Sequence, residues 1–103
     1  MKSSILEPRE DVVVEKLIKY LNKIPNCYAE KRHGGIFQKT GNPDITGCIC
    51  GRRIEIEVKR PKEEAREKQD AILNRWGRCG SIVGVAHSLD ELIQIFKNYD
   101  INI

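Results

Sequence analysis

The stretch at residues 41–59 reads GNPDITGCICGRRIEIEVK, and its pattern predicts a β-hairpin. Residues 45–49 and residues 53–59 are both strand-like runs, and in the second run apolar and charged side chains alternate. Between the two runs, Cys50-Gly51 is a tight-turn signal. One face of this hairpin is therefore expected to be apolar and the other charged.

Working outward from the hairpin, the remaining elements follow from periodicity and from turn residues. Before the hairpin, we predict a helix over residues 8–24 that Pro25 ends and a short edge strand over 27–32. After it, we predict a helix over 63–76 that Gly77 and Gly80 end. A strand over 81–86, buried on both faces, and a helix that Ser88 caps complete the chain. Residues 1–7 are expected to form a loose N-terminus. The order αβββαβα predicts an α/β domain with a mixed central sheet flanked by helices.

Composition limits the class of protein but does not decide the function. A chain of 103 residues has room for one domain, which we predict to span residues 1–103. Its net charge of +3 permits a polyanionic partner without requiring one. There is no apolar stretch of the ~20 residues that a membrane span needs, and no secretion signal is visible. We therefore expect a cytoplasmic protein that has no membrane partner and whose cysteines are reduced.

The pair Cys48-Ile49-Cys50 raises the alternative of a zinc-stabilised interaction domain. Zinc motifs usually have two to four residues between paired cysteines, whereas only one residue lies between these two. The spacing therefore disfavours structural zinc.

Two carboxylates and a lysine are predicted to meet at the open end of the hairpin. If Ile49 faces Arg52, Asp44 lies opposite Glu57, and Lys59 is on the same face as Glu57. A turn shifted by one residue would place Asp44 opposite Lys59 instead. Facing carboxylates repel each other, so a cation is expected between them, and paired oxygen ligands suit Mg²⁺ or Mn²⁺.

A lysine beside a metal-bound water can orient that water or stabilise charge on a phosphate, so the pattern favours phosphodiester hydrolysis. The simpler alternative is a solvated strand face on which Glu57 and Lys59 form an ion pair.

The same residues resemble a known nuclease pattern. Pro43-Asp44 followed by Glu57-Val58-Lys59 resembles the PD-(D/E)xK signature. The wider set is similar to the VRR-NUC family, and it comprises GNPDI at 41–45, IEVKRP at 56–61, Gln69, and Gly80 before a strand that ends in VAHS at 85–88. This resemblance implies a restriction-endonuclease-like αβββαβα core and a metal-dependent nuclease. Small stand-alone members of this family, often from phages and bacteria, are similar to Holliday-junction resolvases and act as homodimers.

The resemblance also implies roles for individual residues. Asp44 and Glu57 would bind the metal together with the backbone carbonyl of Val58, and Lys59 would act on the attacking water. Gln69 would support the site or contact the substrate. The family pattern includes an acid in the first helix, for which we choose Glu15 as a metal-site residue, with Glu10 as the alternative.

Basic residues are expected to contact the nucleic-acid backbone around this site, namely Arg32, Lys39, Arg60 and Lys62. We expect Trp76 to pack in the core or at a dimer interface. The leading hypothesis is a Mg²⁺- or Mn²⁺-dependent endonuclease acting on DNA, with branched DNA as a candidate substrate and a homodimer as the active form. The rival hypothesis is a nucleic-acid-binding module without catalysis.

Overall fold

The structure is a computed structural model in which residues 9–33, 41–60 and 67–103 are described. Its elements are α1 (Glu10–Leu21), β1 (Cys27–Lys31), β2 (Ile45–Ile49), β3 (Arg52–Val58), α2 (Glu67–Arg78), β4 (Ile82–Ala86) and α3 (Leu89–Lys97). This order confirms the predicted αβββαβα arrangement. Residues 63–66, at the predicted start of the second helix, lie outside the described residues. In the described part of the chain, no helix has the length and apolar character needed to cross a membrane.

The four strands form one mixed sheet in the order β1-β2-β3-β4. The pairs β1–β2 and β2–β3 are antiparallel, and β4 pairs with β3 in parallel. Cys50 and Gly51 both have positive φ, of 48° and 85°, as a two-residue hairpin turn of type I′ requires. Ile49 faces Arg52, so the hairpin adopts the first of the two predicted registers.

One face of the sheet forms the apolar core with α1 and α3. The core residues that are completely buried are Leu17, Leu21, Ile45, Ile54, Ile56, Val58, Ile82, Ala86, Leu92 and Phe96. Ile54, Ile56 and Val58 alternate along β3, so their neighbours Glu55 and Glu57 point to the opposite face, where α2 packs. The charged side of the hairpin is therefore covered as well.

Helix α1 ends at Leu21, three residues before the predicted end at Ile24. The side chain of Asn22 accounts for the difference. It accepts a hydrogen bond from the backbone N–H of Ala29 at 2.7 Å and donates one to the Ala29 carbonyl at 3.0 Å. These two bonds satisfy the backbone groups of Ala29 on the edge of β1 that has no neighbouring strand. Asn22 makes them from the position directly after the helix, where its side chain competes with a further helical turn.

Gly77 does not end the second helix as predicted, because α2 continues to Arg78. A Cβ atom at Gly77 would lie 3.2 Å from Cγ2 of Val83, so this glycine allows α2 to approach β4 closely. Gly80 follows the end of the helix by two residues, and its φ of 97° suits the left-handed residue after a helix, as predicted.

Strand β4 is not buried on both faces as predicted. Ile82 and Ala86 are buried, but Val83, Gly84 and Val85 are partly exposed. The reason is its place in the strand order, since β4 is an edge strand of the described sheet. Beyond it, Ser88 caps α3 as predicted, with its Oγ accepting a hydrogen bond from the N–H of Glu91 at 3.2 Å.

Candidate active site

Asp44 and Glu57 meet where β2 begins and β3 ends. Ile45 faces Ile56 in the hairpin, so continuing this register by one residue places Asp44 opposite Glu57. Oδ2 of Asp44 accepts a hydrogen bond from the backbone N–H of Val58 at 2.9 Å. The Asp44 carboxylate is therefore anchored on the strand that carries Glu57.

Glu57 is buried, with only 2% of its surface exposed. Its Oε2 atom accepts a hydrogen bond from Nε2 of Gln69 at 2.7 Å and lies 3.4 Å from Nζ of Lys59. Its Oε1 atom is also buried, but within the described residues it has no hydrogen-bond partner. The two groups that hold Glu57 thus act on one oxygen and leave the other available to a ligand.

The electrostatic environment of Glu57 opposes its ionisation. Burial, and after it the negative charge of Asp44, raise the pKa of this carboxyl group to about 7, although Lys59 acts in the opposite direction. Glu10 also raises the pKa of Glu57, through a smaller effect of its charge. A cation bound between Asp44 and Glu57 would reverse this balance and favour the ionised form.

These residues fit a hard divalent cation. In the part of the chain that the structure describes, the buried Oε1 atom of Glu57 lacks a partner, and the facing residue Asp44 supplies a second carboxylate. Mg²⁺ commonly binds through one or two carboxylates and keeps several waters, so two acidic ligands are sufficient. The backbone contact seen at Val58 is made by its N–H group, and its carbonyl remains a predicted ligand.

The zinc alternative finds less support in this structure. Cys48 and Cys50 are both exposed, and their thiols are free. Across residues 9–33, 41–60 and 67–103, no three His, Cys, Asp or Glu side chains are grouped so that they could hold one metal ion.

The structure brings Glu10 rather than Glu15 towards the site. Glu10 precedes Val14 and Leu17 by four and seven residues, so it lies on the face of α1 that packs against the sheet. Glu15 is exposed and lines a surface groove beside Leu89. Five residues correspond to about 140° of rotation around a helix, which is why the two acids point in different directions. Of the two acids, it is therefore Glu10 whose charge reaches Glu57, and a metal-site role for an acid of α1 stays a prediction.

A second buried carboxylate, Glu55, lies beside the site and was missed by the sequence analysis. It is completely buried. Arg32 donates two hydrogen bonds to it, from Nη1 at 2.9 Å and Nη2 at 3.1 Å. Arg53 Nε donates a third at 2.9 Å, and the Thr46 hydroxyl donates a fourth at 2.6 Å. The face that carries Glu55, Glu57 and Lys59 is thus a buried polar layer, and the alternative of a solvated strand face is wrong.

Trp76 covers this polar layer from α2. The guanidinium of Arg53 lies 4.5 Å from the centre of its ring and that of Arg32 lies 5.8 Å away, both within cation–π range. Trp76 therefore packs against the sheet through two arginines.

The predicted nucleic-acid contacts divide into three groups. Arg32 points inward to Glu55, which makes it a structural residue of the site rather than an exposed phosphate ligand. Arg60 follows Lys59 directly and is partly buried. Lys39 and Lys62 lie outside the described residues.

A signal for the Glu55 cluster was present in the sequence. Arg53, Glu55 and Glu57 alternate along one strand, so all three share a face. A buried carboxylate on this face at Glu55 would require a cation as its partner. The partner Arg32 comes from another strand, and strand order is not visible in the sequence.

Comparison with known proteins places the fold. A solved structure described as a "VRR_NUC domain protein" superimposes with a TM-score of 0.72 at 18% sequence identity, covering 90% of this chain and 88% of that one. No family model matches the sequence, and no curated protein matches it. The chain therefore has the restriction-endonuclease-like α/β fold of a VRR_NUC domain protein, which confirms the predicted fold class.

Proposed function

We propose that this chain, which has the fold of a VRR_NUC domain protein, is a divalent-metal-dependent nuclease that hydrolyses phosphodiester bonds in DNA. The observation that carries the proposal is the buried carboxylate of Glu57, which faces Asp44, neighbours Lys59 and has one buried oxygen without a partner among the described residues. Burying like charges together costs folding free energy, and perturbed carboxyl groups of this kind concentrate at functional sites.

Each residue of the site would have a distinct role in hydrolysis. Asp44 and Glu57 would hold Mg²⁺ or Mn²⁺, with the Val58 carbonyl as a further ligand. Bound there, the metal would supply Lewis-acid polarisation of the phosphate and a water of lowered pKa. Gln69 holds Oε2 of Glu57 through its hydrogen bond and would thereby leave Oε1 as the metal-binding oxygen.

Lys59 provides the positive charge of the site. Its ammonium nitrogen lies 3.4 Å from Oε2 of Glu57, and only 8% of the surface of Lys59 is exposed. In this position it would orient the attacking water and stabilise the negative charge that develops on the phosphate oxygens.

The proposed substrate is DNA, with Holliday junctions and other branched forms as the first candidates. A net charge of +3 accords with such a site, because its own acids offset part of the basic surface. A junction requires two symmetric cuts, which a two-fold homodimer would supply by presenting two such sites.

The experiment is a cleavage assay on a labelled four-way junction, a flap, a linear duplex and single-stranded DNA and RNA, with Mg²⁺ or Mn²⁺. Asp44→Asn and Lys59→Ala should each lower kcat at least about 100-fold, as losses of a metal ligand and of an electrostatic catalyst do.

The matched controls are Asp100→Asn and Lys97→Ala, which lie at the far end of α3 from the site. Asp100 has a φ of 64°, a conformation that asparagine tolerates, so this change leaves the backbone unstrained. The proposal fails if the wild type cuts nothing or if the site variants cut as fast as these controls. Salt-sensitive DNA binding without cleavage would identify a binding module instead.

A further inference from the structure

We propose that Arg32 and Glu55 form a positioning pair that sets the Asp44 carboxylate for metal binding. This inference rests on the proposed function for its biological meaning, but the geometry behind it stands alone. Neither residue needs to touch metal or substrate, since both act through the backbone that carries Asp44.

Arg32 holds the segment before β2 at two points. Its backbone N–H donates a hydrogen bond to the Asp44 carbonyl at 2.7 Å, which continues the β1–β2 pairing by one residue. Its Nη1 atom donates a hydrogen bond to the Pro43 carbonyl at 3.0 Å. Pro43 has no N–H group and Asp44 precedes β2, so the regular backbone hydrogen bonds between strands are incomplete here. The two bonds from Arg32 replace part of them.

Glu55 fixes the guanidinium that makes the second of these bonds. The Arg32–Glu55 pair is bidentate, with distances of 2.9 Å and 3.1 Å, and the Glu55 side chain is fully buried. A planar guanidinium bound through both arms has little freedom to rotate. The Glu55 carboxylate therefore both neutralises the charge of Arg32 and holds Nη1 in position to bond the Pro43 carbonyl.

Asp44 is consequently held from two neighbouring strands. Arg32 fixes its backbone from the β1 side, and the N–H of Val58 fixes its Oδ2 atom from the β3 side. Site residues need to be held to within about 0.5 Å of the productive geometry. Outer residues that orient a ligand typically change metal affinity 10- to 100-fold when they are lost.

Arg53 supplies a matched control within the same cluster. It also bonds Glu55, at 2.9 Å, and it also stacks on Trp76, but its described hydrogen bonds go to Glu55 and Thr46 and not to the segment of Asp44. Arg32→Gln and Arg53→Gln each remove one positive charge from Glu55. Only the first removes the link to Pro43.

The test uses two readouts on the full chain: amide hydrogen exchange of Val58 by NMR without metal, and the Kd for Mn²⁺ by calorimetry without DNA. Arg32→Gln should speed exchange at Val58 about tenfold and weaken Mn²⁺ binding about tenfold or more. Arg53→Gln should leave both within about twofold of the wild type. Equal losses in the two variants, or no loss in Arg32→Gln, would overturn the proposal.

Glu55→Gln keeps the inference testable if Arg32→Gln does not fold. A neutral isostere retains the side-chain volume but weakens the bidentate pair, so Val58 exchange should rise here too, and unchanged exchange would again overturn the proposal. If the wild type binds no Mn²⁺, the proposed nuclease function fails, while the Val58 measurement still decides the role of Arg32.

Discussion

Gln69 and Lys59 converge on the same oxygen of Glu57, at 2.7 Å and 3.4 Å, from a helix on one side and from the end of the same strand on the other. The second oxygen is buried and has no hydrogen-bond partner in the described structure. A carboxylate held in this way has one oxygen committed to the protein and one reserved for a ligand. The cost of this arrangement without a ligand can be measured.

The first prediction is that Glu57→Gln stabilises the metal-free protein while abolishing metal binding. The pKa of Glu57 is raised to about 7, so above that pH the folded protein holds an anion that burial and Asp44 both disfavour. At pH 8 the amide should increase the free energy of unfolding by about 1–2 kcal/mol, because the gain is reduced by the lost ion pair with Lys59.

Urea denaturation of both proteins across pH 5–8 measures this difference. An acid with a raised pKa retains its proton in the folded state, so its penalty is full above about pH 7 and disappears as the pH falls towards the unfolded value near 4.5. The advantage of the variant should therefore shrink as the pH is lowered. A variant less stable than the wild type at pH 8 would contradict the raised pKa.

The second prediction concerns the pH dependence of metal binding. Because a proton and a cation compete for Glu57, Mn²⁺ affinity should rise as the pH increases from 6 towards 8, and the rise should level off above a pH of about 7. Calorimetric titrations in buffers of different ionisation enthalpy should show that binding releases a proton at pH 6. A Mn²⁺ affinity that does not change between pH 6 and pH 8 would show that the metal and a proton do not compete for Glu57.

The third prediction separates the two acids of α1. Glu10 raises the pKa of Glu57, whereas Glu15 points into solvent on another face of the helix. Glu10→Gln should therefore lower the pKa of the Glu57 carboxyl group, and Glu15→Gln should leave it unchanged. Carbon-13 NMR titration of the glutamate carboxyl groups measures this directly. A larger shift in the Glu15 variant would restore the assignment made from sequence.

The fourth prediction is that Gln69 sets the orientation of Glu57. Gln69→Leu removes the 2.7 Å hydrogen bond to Oε2 and should weaken Mn²⁺ binding about tenfold. Gln94→Leu is the matched control, because Gln94 is an exposed residue of α3 whose amide bonds Asn98. Calorimetry on both variants gives the comparison. Equal affinities would mean that Lys59 alone holds Glu57.

The hairpin and its site were predictable because local signals determine both. The Cys50-Gly51 turn sets the register, and the register alone places Asp44 opposite Glu57. The inward face of Glu10 and the burial of Arg32 against Glu55 were not foreseen, for different reasons. The face of Glu10 follows from helical geometry and was open to prediction, whereas the partner of Arg32 depends on β1 lying beside β2, a long-range pairing that no local pattern specifies. The exposed edge of β4 has the same long-range origin.

The fifth prediction tests that long-range pairing. A Cβ atom at Gly47 would collide with the Tyr28 carbonyl oxygen and would lie 2.8 Å from the Cα atom of Ala29, both of which are backbone atoms of β1. Gly47→Ala must therefore push β1 away from β2, and we expect a loss of about 2–3 kcal/mol in unfolding free energy by urea denaturation.

Since β1 leads into Arg32, the variant should also speed amide exchange at Val58. The control is Gly84→Ala on β4, at the opposite edge of the sheet, where the three atoms nearest to the added Cβ belong to the side chain of Ile95 and not to backbone. If Gly47→Ala is no less stable than this control, close packing of β1 on β2 is not what holds Arg32 in place.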